Sequence, residues 1–361
     1  MTLQPSSHRD KKLSRPKLCF GAFPKVELHR HLEGSLRLDT LWEVARDHDM
    51  VISNTDQLRK RVQVNQDEPH TFENFLSKFE TLRLFYRTPE IIRRVTREAI
   101  SDAALDNVRY LELRFTPVAL AKAQGYSLPS VMDWVIEGAV AAQQEHNHIT
   151  ARLIASVNRN ESVGLAEQVA QLAVDRREKG IVGLDLAGNE AHFSALPFTG
   201  VFREAQKAGL HVTAHAGEWG GPSNVSDAIL GLQAERIGHG VRIMEDAKGV
   251  ALALEHNPAF EVCVTSNYQT GVVPALCEHP LMRMLKAGLN VTLNTDDPSI
   301  SQIRLSDEYC LAGEQLGMPL EVLKERVLAA ARAAFLPEGE RLALVQSLAK
   351  ELSVCSSAFA S

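Results

Sequence analysis

Lys25-Val26-Glu27-Leu28-His29-Arg30-His31-Leu32-Glu33-Gly34 is the stretch that decides the fold. It begins as a short apolar run, which predicts a buried β-strand. Alternation along a strand points residues i and i+2 to the same face, so His29 and His31 can reach one point. We therefore expect this strand to present two imidazoles at the end of a barrel where functional residues collect.

Similar short apolar runs recur along the chain and predict eight strands. They cover residues 25–31, 109–115, 151–157, 181–186, 210–215, 236–239, 261–265 and 289–294. Segments with helical periodicity separate most of them, among them 165–178, 201–208 and 247–255. Alternating strands and helices are typical of a parallel sheet, and eight such units predict a TIM (β/α)8 barrel.

The spacing of the strands predicts additions to this barrel. The long gap after the first strand contains helical patterns at 41–47, 71–85 and 89–106, so we expect a helical lid over about 37–106. Extra C-terminal helices are predicted at 305–317, 319–335 and 341–353, with a break at 336–339. We expect residues 1–20 to be a basic, flexible tail and residues 21–361 to be a single domain.

Composition narrows the class of protein. The 361 residues are 45% hydrophobic and 23% charged, as in an ordinary globular protein. The 39 Lys and Arg against 45 Asp and Glu give a net charge of −6, the wrong sign for a nucleic-acid-binding protein. The five cysteines include no CxxC pair, and neither a signal peptide nor a membrane span is apparent. We therefore expect a cytoplasmic protein with no nucleic-acid or membrane partner; the oligomeric state stays open.

Further polar residues lie at the ends of later predicted strands. The fifth strand ends at His215, with Glu218 three residues beyond. The sixth ends at His239 between two glycines, and the eighth is followed by Asp296 and Asp297. Since parallel strands in a barrel end at one face, we expect these side chains to meet the two imidazoles of the first strand.

Three imidazoles and one carboxylate suit a single Zn²⁺ ion, although cobalt and iron accept the same ligands. Zinc acidifies bound water, and a neighbouring Glu can deliver a proton to the electrophile, so the pattern predicts hydrolytic chemistry. A second His-x-His pair, His146 and His148, follows a polar helix end, and we interpret it as a surface loop.

Six motifs carry a resemblance to the adenosine deaminase family of metal-dependent amidohydrolases, and they appear in the family's order between about Pro24 and Leu344. They are His29-Arg30-His31-Leu32-Glu33-Gly34-Ser35, Asp185-Leu186-Ala187-Gly188-Asn189-Glu190, His215-Ala216-Gly217-Glu218, Gly238-His239-Gly240, Thr265-Ser266-Asn267 and Leu293-Asn294-Thr295-Asp296-Asp297-Pro298.

The resemblance implies a role for each matching residue. The family's zinc ligands match His29, His31, His215 and Asp296. Glu218 matches the acid that protonates N1 of the purine, and His239 matches the group that orients the attacking hydroxide. Asp297 matches the partner of the N7 edge, and Gly188 matches the glycine whose N–H meets N3. The implied reaction is deamination at C6, which would convert adenosine or 2′-deoxyadenosine to inosine or 2′-deoxyinosine and ammonia.

The family also contains deaminases of adenine, N6-methyl-AMP and aminodeoxyfutalosine, so the substrate stays open within it. Glu33 stands at the position that meets the ribose, where the longer carboxylate is also the residue of adenine deaminases. Gly238 resembles the adenosine type, because adenine deaminases tend to carry Asp there. A nucleotide would call for cations, for which Arg30, Arg114 and Arg159 are candidates. We therefore expect a purine nucleoside, adenosine or 2′-deoxyadenosine, to be the preferred substrate.

Two other classes of protein fit the sequence less well. An inactive nucleoside-binding relative should have lost a ligand or Glu218, and none is missing. Other barrel hydrolases commonly bridge two metals with a lysine, but Lys179 and Lys207 fall on predicted helix ends or loops.

Overall fold

Eight parallel strands form the centre of the fold in the computed structural model, which describes residues 20–65 and 67–354. Each strand pairs with the next in chain order. The strands are β1 (Lys25–His31), β2 (Val108–Phe115), β3 (Thr150–Asn158), β4 (Ile181–Ala187), β5 (His211–Ala216), β6 (Arg236–His239), β7 (Ala259–Val262) and β8 (Asn290–Leu293). The ring closes just beyond β8, where Arg30 bridges Asp296 in parallel. The fold is therefore the expected TIM (β/α)8 barrel.

Helices surround the barrel and follow most strands. The first eight are α1 (Leu38–Asp47), α2 (Thr55–Val62), α3 (Phe72–Leu82), α4 (Pro89–Leu105), α5 (Pro117–Lys122), α6 (Leu128–Glu145), α7 (Val163–Val174) and α8 (Thr199–Lys207). The remainder are α9 (Pro222–Leu230), α10 (Ala247–His256), α11 (Val264–Gln269), α12 (Leu281–Lys286), α13 (Pro298–Ser301), α14 (Leu305–Glu314), α15 (Leu320–Arg332) and α16 (Glu338–Val354). None of the helices in the described ranges is both long and apolar enough to cross a membrane. The cytoplasmic location stays a prediction.

The predicted seventh strand was wrong in its position. Strand β7 ends at Val262, and the residues from Val264 onward form α11 instead of extending the strand to 265. The carboxylate of Glu308 accepts hydrogen bonds from the backbone N–H groups of Val264 and Thr265, at 2.8 and 3.0 Å. This contact with α14 satisfies the first amides of α11, and β propensity along the chain gives no sign of it.

The predicted break at 336–339 was also too long. Helix α16 begins at Glu338, directly after Pro337, whose carbonyl accepts the N–H of Arg341 at 3.0 Å. Proline is tolerated at a helix start because the first amides have no partner within the helix. It therefore marks the start of this helix.

The helical insertion after β1 contains α1 to α4 and contacts loops at the carboxyl ends of the strands. The ring of His70 packs edge-on against Tyr268, with centroids 4.4 Å apart, and Phe72 packs against Trp219. Tyr268 follows β7 and Trp219 follows β5. That residues 37–106 act as a lid stays a prediction. The predicted N-terminal tail lies outside the described residues, apart from residue 20.

Candidate active site

Four side chains from three strand ends meet at the carboxyl face of the barrel. His29 and His31 come from β1, His215 from β5, and Asp296 from the segment after β8. Oδ1 of Asp296 lies 3.2 Å from Nε2 of His29 and 3.3 Å from Nε2 of His31. Nε2 of His31 lies 3.2 Å from Nε2 of His215. The sequence-predicted ligand set is thus brought together at one point.

Hydrogen bonds on the far side of two rings fix where their protons lie. Nδ1 of His29 contacts Glu261 at 2.8 Å, and Nδ1 of His215 contacts Asp185 at 3.0 Å. A carboxylate only accepts hydrogen bonds, so each ring keeps a hydrogen on Nδ1, and Nε2 is the atom that can bind a cation at the centre. Bare nitrogens and a carboxylate oxygen at this separation repel one another unless a cation lies between them. The donor set therefore fits a divalent ion such as zinc.

Buried charges inside the barrel hold these two carboxylates. Arg114 lies 2.8 Å from Glu261 and 3.4 Å from Asp185, and Arg236 lies 2.5 Å from Glu261 and also pairs with Glu112. Burial opposes ionisation of Glu261, but the two arginines outweigh it and hold the pKa of Glu261 well below its usual range. Sequence reasoning did not assign these partners; charged residues within apolar strands are the signal that could have found them.

Glu218 lies beside this centre, and its surroundings shift its pKa in the opposite direction. Burial, and then the charge of Asp296, raises the pKa of Glu218 well above its usual range, which favours the protonated carboxyl. Oε2 of Glu218 is 3.6 Å from Nε2 of His239, and that nitrogen is 3.7 Å from Oδ2 of Asp296. A protonated acid next to a cation site can donate a proton to a bound electrophile.

The loop that carries Glu218 is held by one buried carboxylate. Glu190 accepts the backbone N–H groups of Gly217, Glu218 and Trp219 at 2.9, 2.6 and 2.8 Å, and the side-chain amide of Asn224 at 2.9 Å. Burial opposes its charge, but these hydrogen bonds lower the pKa of Glu190 below its usual value. The sequence motif contained Glu190 without indicating this role.

Two site residues have a strained backbone. His239 and Asp296 lie in the left-handed region, with φ of 60° and 68°. Such conformations are costly for residues other than glycine and concentrate at functional sites. The neighbouring Gly238 is constrained for a steric reason. A Cβ at this position would lie 2.9 Å from Cε1 of His29. The glycine thus lets the His29 ring pack directly on β6.

A group of buried polar atoms marks a second part of the site. Glu33 accepts the N–H of Thr116 through Oε1 at 2.7 Å. Its Oε2, Oδ1 of Asp297 and the hydroxyl of Tyr86 have no hydrogen-bond partner among the described residues. Burial, and then the charges of Glu33 and Asp297, raises the pKa of the Tyr86 hydroxyl. Buried polar atoms without partners indicate a ligand, and Tyr86 was missed because no motif contains it.

Gly188 and the three arginines considered for a phosphate site also have defined positions in the structure. Gly188 directly follows β4 and has a φ of 88°, in the left-handed region that favours glycine. Arg30 donates to Ser35 at 3.0 Å, and Arg159 donates to the carbonyl of His215. Together with the buried pairs of Arg114, these contacts give each of the three arginines that were candidates for a phosphate site a protein partner, although Nε of Arg114 and Nε of Arg159 have no hydrogen-bond partner among the described residues.

The other His-x-His pair has no comparable setting. It follows α6, and Nε2 of His148 contacts the carbonyl of Ala104 at 3.1 Å. His148 is exposed, in agreement with the surface loop predicted from the sequence. Neither His146 nor His148 belongs to a possible metal cluster within the described ranges.

Fold and site together define a class: a TIM barrel with a candidate metal centre at the carboxyl ends of its strands and a carboxylic acid beside it. Residues 24–351 match the family model described as adenosine deaminase. The chain belongs to the adenosine deaminase family. An adenosine deaminase of Klebsiella pneumoniae is 37% identical over 335 residues, which cover 91% of this chain and 98% of that protein.

Solved structures agree with this assignment. An adenine deaminase from Arthrobacter aurescens has a TM-score of 0.84 at 26% identity and covers 91% of this chain and 99% of its own. An amidohydrolase from Burkholderia ambifaria, solved with bound zinc, has a TM-score of 0.84 at 27% identity and covers 94% of this chain and 93% of its own. The protein is therefore a hydrolytic deaminase, and its relatives support purine deamination.

Proposed function

We propose that the protein hydrolyses the 6-amino group of adenosine and 2′-deoxyadenosine, with one Zn²⁺ per subunit. The observation that carries this proposal is the buried carboxyl of Glu218 next to a cation-binding set of side chains. The proposed zinc ligands are His29, His31, His215 and Asp296. Bound zinc would supply an activated water as nucleophile at neutral pH. Whole-chain similarity to adenosine deaminases supports the choice of substrate.

The chain's own residues would bind the purine and move the protons. Glu218 donates its proton to N1, which makes C6 more electrophilic, and His239 hydrogen-bonds the attacking oxygen. Asp297 binds the N7 edge; burial and Asp296 raise its pKa well above the usual range, so it can donate a hydrogen bond. The N–H of Gly188 meets N3. The oxygen of water bonds to C6, the C6–N6 bond breaks, and the two water hydrogens balance the ammonia and the N1–H of inosine.

The sugar end of the site favours a nucleoside over a nucleotide. Glu33 and the hydroxyl of Tyr86 provide oxygen atoms that suit neutral hydroxyl groups. A phosphate would face acceptor oxygens, while Arg30 and Arg114 are already bound to protein groups. Like charges without a cation are unfavourable, so we expect AMP and N6-methyl-AMP to be poor substrates.

Adenine is the second candidate, because Glu33 is the residue that adenine deaminases share and its Oε2 has no protein partner. A panel of adenosine, 2′-deoxyadenosine, adenine, AMP, N6-methyl-AMP and aminodeoxyfutalosine separates these possibilities. We expect kcat/KM for the two nucleosides to exceed that for every other compound by about 100-fold or more, as expected when hydrogen-bonding groups lose their partners. Preference for adenine would contradict the nucleoside assignment.

Glu190→Gln is expected to lower kcat by about 10-fold with little change in KM. The amide replaces one acceptor oxygen with a donor, so at least one of the three loop N–H groups loses its charge-assisted hydrogen bond. Steady-state kinetics with adenosine measure the effect. Glu161→Gln is the matched control, because Glu161 also accepts a backbone N–H and a side-chain amide, both from Asn158. Equal losses of kcat in the two variants would contradict the positioning role of Glu190.

A further inference from the structure

The face of His239 opposite the cation site begins a chain of hydrogen bonds that leads out of the barrel. Nδ1 of His239 lies 3.1 Å from Nδ2 of Asn267, which is on α11. Oδ1 of Asn267 lies 3.2 Å from Nε2 of His279, and Nδ1 of His279 lies 3.1 Å from the backbone N of Leu281. Three side chains and one amide thus form a continuous series, and all three side chains are buried.

The backbone amide at the outer end gives this series a direction. The N–H of Leu281 can only donate, so Nδ1 of His279 must accept and be free of hydrogen. Burial lowers the pKa of His279 to about 3, with Arg283 adding to the effect, so the ring is neutral and its hydrogen lies on Nε2. That hydrogen is donated to Oδ1 of Asn267, which leaves the amide nitrogen facing His239.

The inner end of the series then fixes the tautomer of His239. The amide nitrogen of Asn267 is a donor, so Nδ1 of His239 accepts. A neutral ring with a bare Nδ1 carries its hydrogen on Nε2, the nitrogen that faces Glu218 and Asp296. This is the reverse of His29 and His215, whose carboxylate partners keep the hydrogen on Nδ1.

The difference in partners also decides between two possible ion sites. A second cluster of suitable atoms joins His239 and Cys263 to His29 and Asp296. With Nδ1 engaged by Asn267, His239 could bind a metal only through Nε2, and a nitrogen that carries hydrogen has no free lone pair. The series of hydrogen bonds therefore excludes His239 as a ligand and leaves it as a donor.

We propose that Asn267 and His279 are positioning residues that hold His239 as a hydrogen-bond donor toward the reacting oxygen. Through its hydrogen on Nε2, His239 would stabilise negative charge that develops on that oxygen, as preorganised donors do. Only the catalytic consequence of this inference rests on the proposed function. The hydrogen positions can be tested independently of any activity.

The first test is the tautomer itself. Nitrogen NMR of the zinc-loaded, ¹⁵N-histidine-labelled protein, with His239→Gln to assign the signals, should show His239 with hydrogen on Nε2 and none on Nδ1. A hydrogen on Nδ1 would overturn the proposal. Asn267→Asp is expected to reverse the pattern, because a carboxylate accepts from both rings. Asn294→Asp is the control: it replaces another buried amide, whose Oδ1 accepts the N–H of Leu28, and should leave the His239 signals unchanged.

The second test compares two substitutions of Asn267. We expect Asn267→Asp to lower kcat for adenosine on the order of 100-fold, the usual effect of losing a donor to a developing oxyanion. Asn267→Ala removes the amide without forcing the reverse tautomer, and about a 10-fold loss is expected. A merely structural side chain gives the opposite order, because Ala leaves a cavity and Asp is isosteric. A larger loss in the Ala variant would contradict the proposal, whereas absence of adenosine turnover in the wild-type protein would contradict only the proposed function.

Discussion

Glu218→Gln is expected to lower kcat for adenosine on the order of 1,000-fold while bound zinc stays at the wild-type amount. Glutamine has the shape of a protonated glutamic acid but cannot transfer a proton to N1, and general acids contribute effects of this size. Burial and the charge of Asp296 raise the pKa of Glu218, which favours the protonated acid that the proposed step needs. The proton is lost as the pH rises through that raised pKa, so activity should fall on the alkaline side.

Kinetics over a range of pH, with metal analysis of the same samples, measure both effects. Glu167→Gln, at an exposed position on α7, is the control for replacing one carboxyl by an amide, and wild-type kcat is expected. If the Glu218 variant loses zinc, we would assign Glu218 to metal binding instead of proton transfer. A loss of less than 10-fold in kcat would contradict the role as proton donor.

Removing the metal is expected to abolish turnover and to lower the melting temperature. Nε2 of His29 and Nε2 of His31 lie 3.2 and 3.3 Å from Oδ1 of Asp296, so an ion bound among them would link β1 to the segment after β8. A ligand that binds only the folded state at 100 times its Kd adds about 3 kcal/mol to the free energy of unfolding. Chelation followed by addition of Zn²⁺ or Co²⁺, with activity and melting temperature recorded at each step, tests this expectation.

The chain contains its own control for the metal site. His29→Ala should lose zinc and activity, whereas His146→Ala, in the other His-x-His pair, should keep both. Asp185→Asn should weaken zinc binding by about 10 to 100-fold, because it removes the carboxylate that orients His215. Retention of full activity after complete chelation would contradict the metal-dependent account.

The periodicity of apolar residues along the chain predicted most of the fold. The bounds of β1 and β6 agree with the predicted 25–31 and 236–239. The error at β7 came from Thr265, whose β propensity is overridden by Glu308 from another helix. Local patterns report neighbours along the chain, and this contact joins residues 43 positions apart.

The candidate site residues could be predicted where they lie at the ends of strands. The imidazoles and carboxylates that the barrel collects were identifiable because parallel strands end at one face. Their supporting partners were not, since the Glu261 that orients His29 is 232 positions away in sequence. The same holds for Tyr86, which reaches the site from the helical insertion, and for the contact of His279 with Asn267. Such pairings depend on packing between elements, which one sequence does not display.

The most direct test of the account is the reaction of purified, zinc-loaded protein with adenosine. Ultraviolet absorbance should report conversion to inosine, and an ammonia assay should find one ammonia for each adenosine consumed. We expect this stoichiometry, and we expect kcat/KM for adenine and AMP to be at least about 100-fold lower than for adenosine. Turnover of adenine without turnover of adenosine would contradict it.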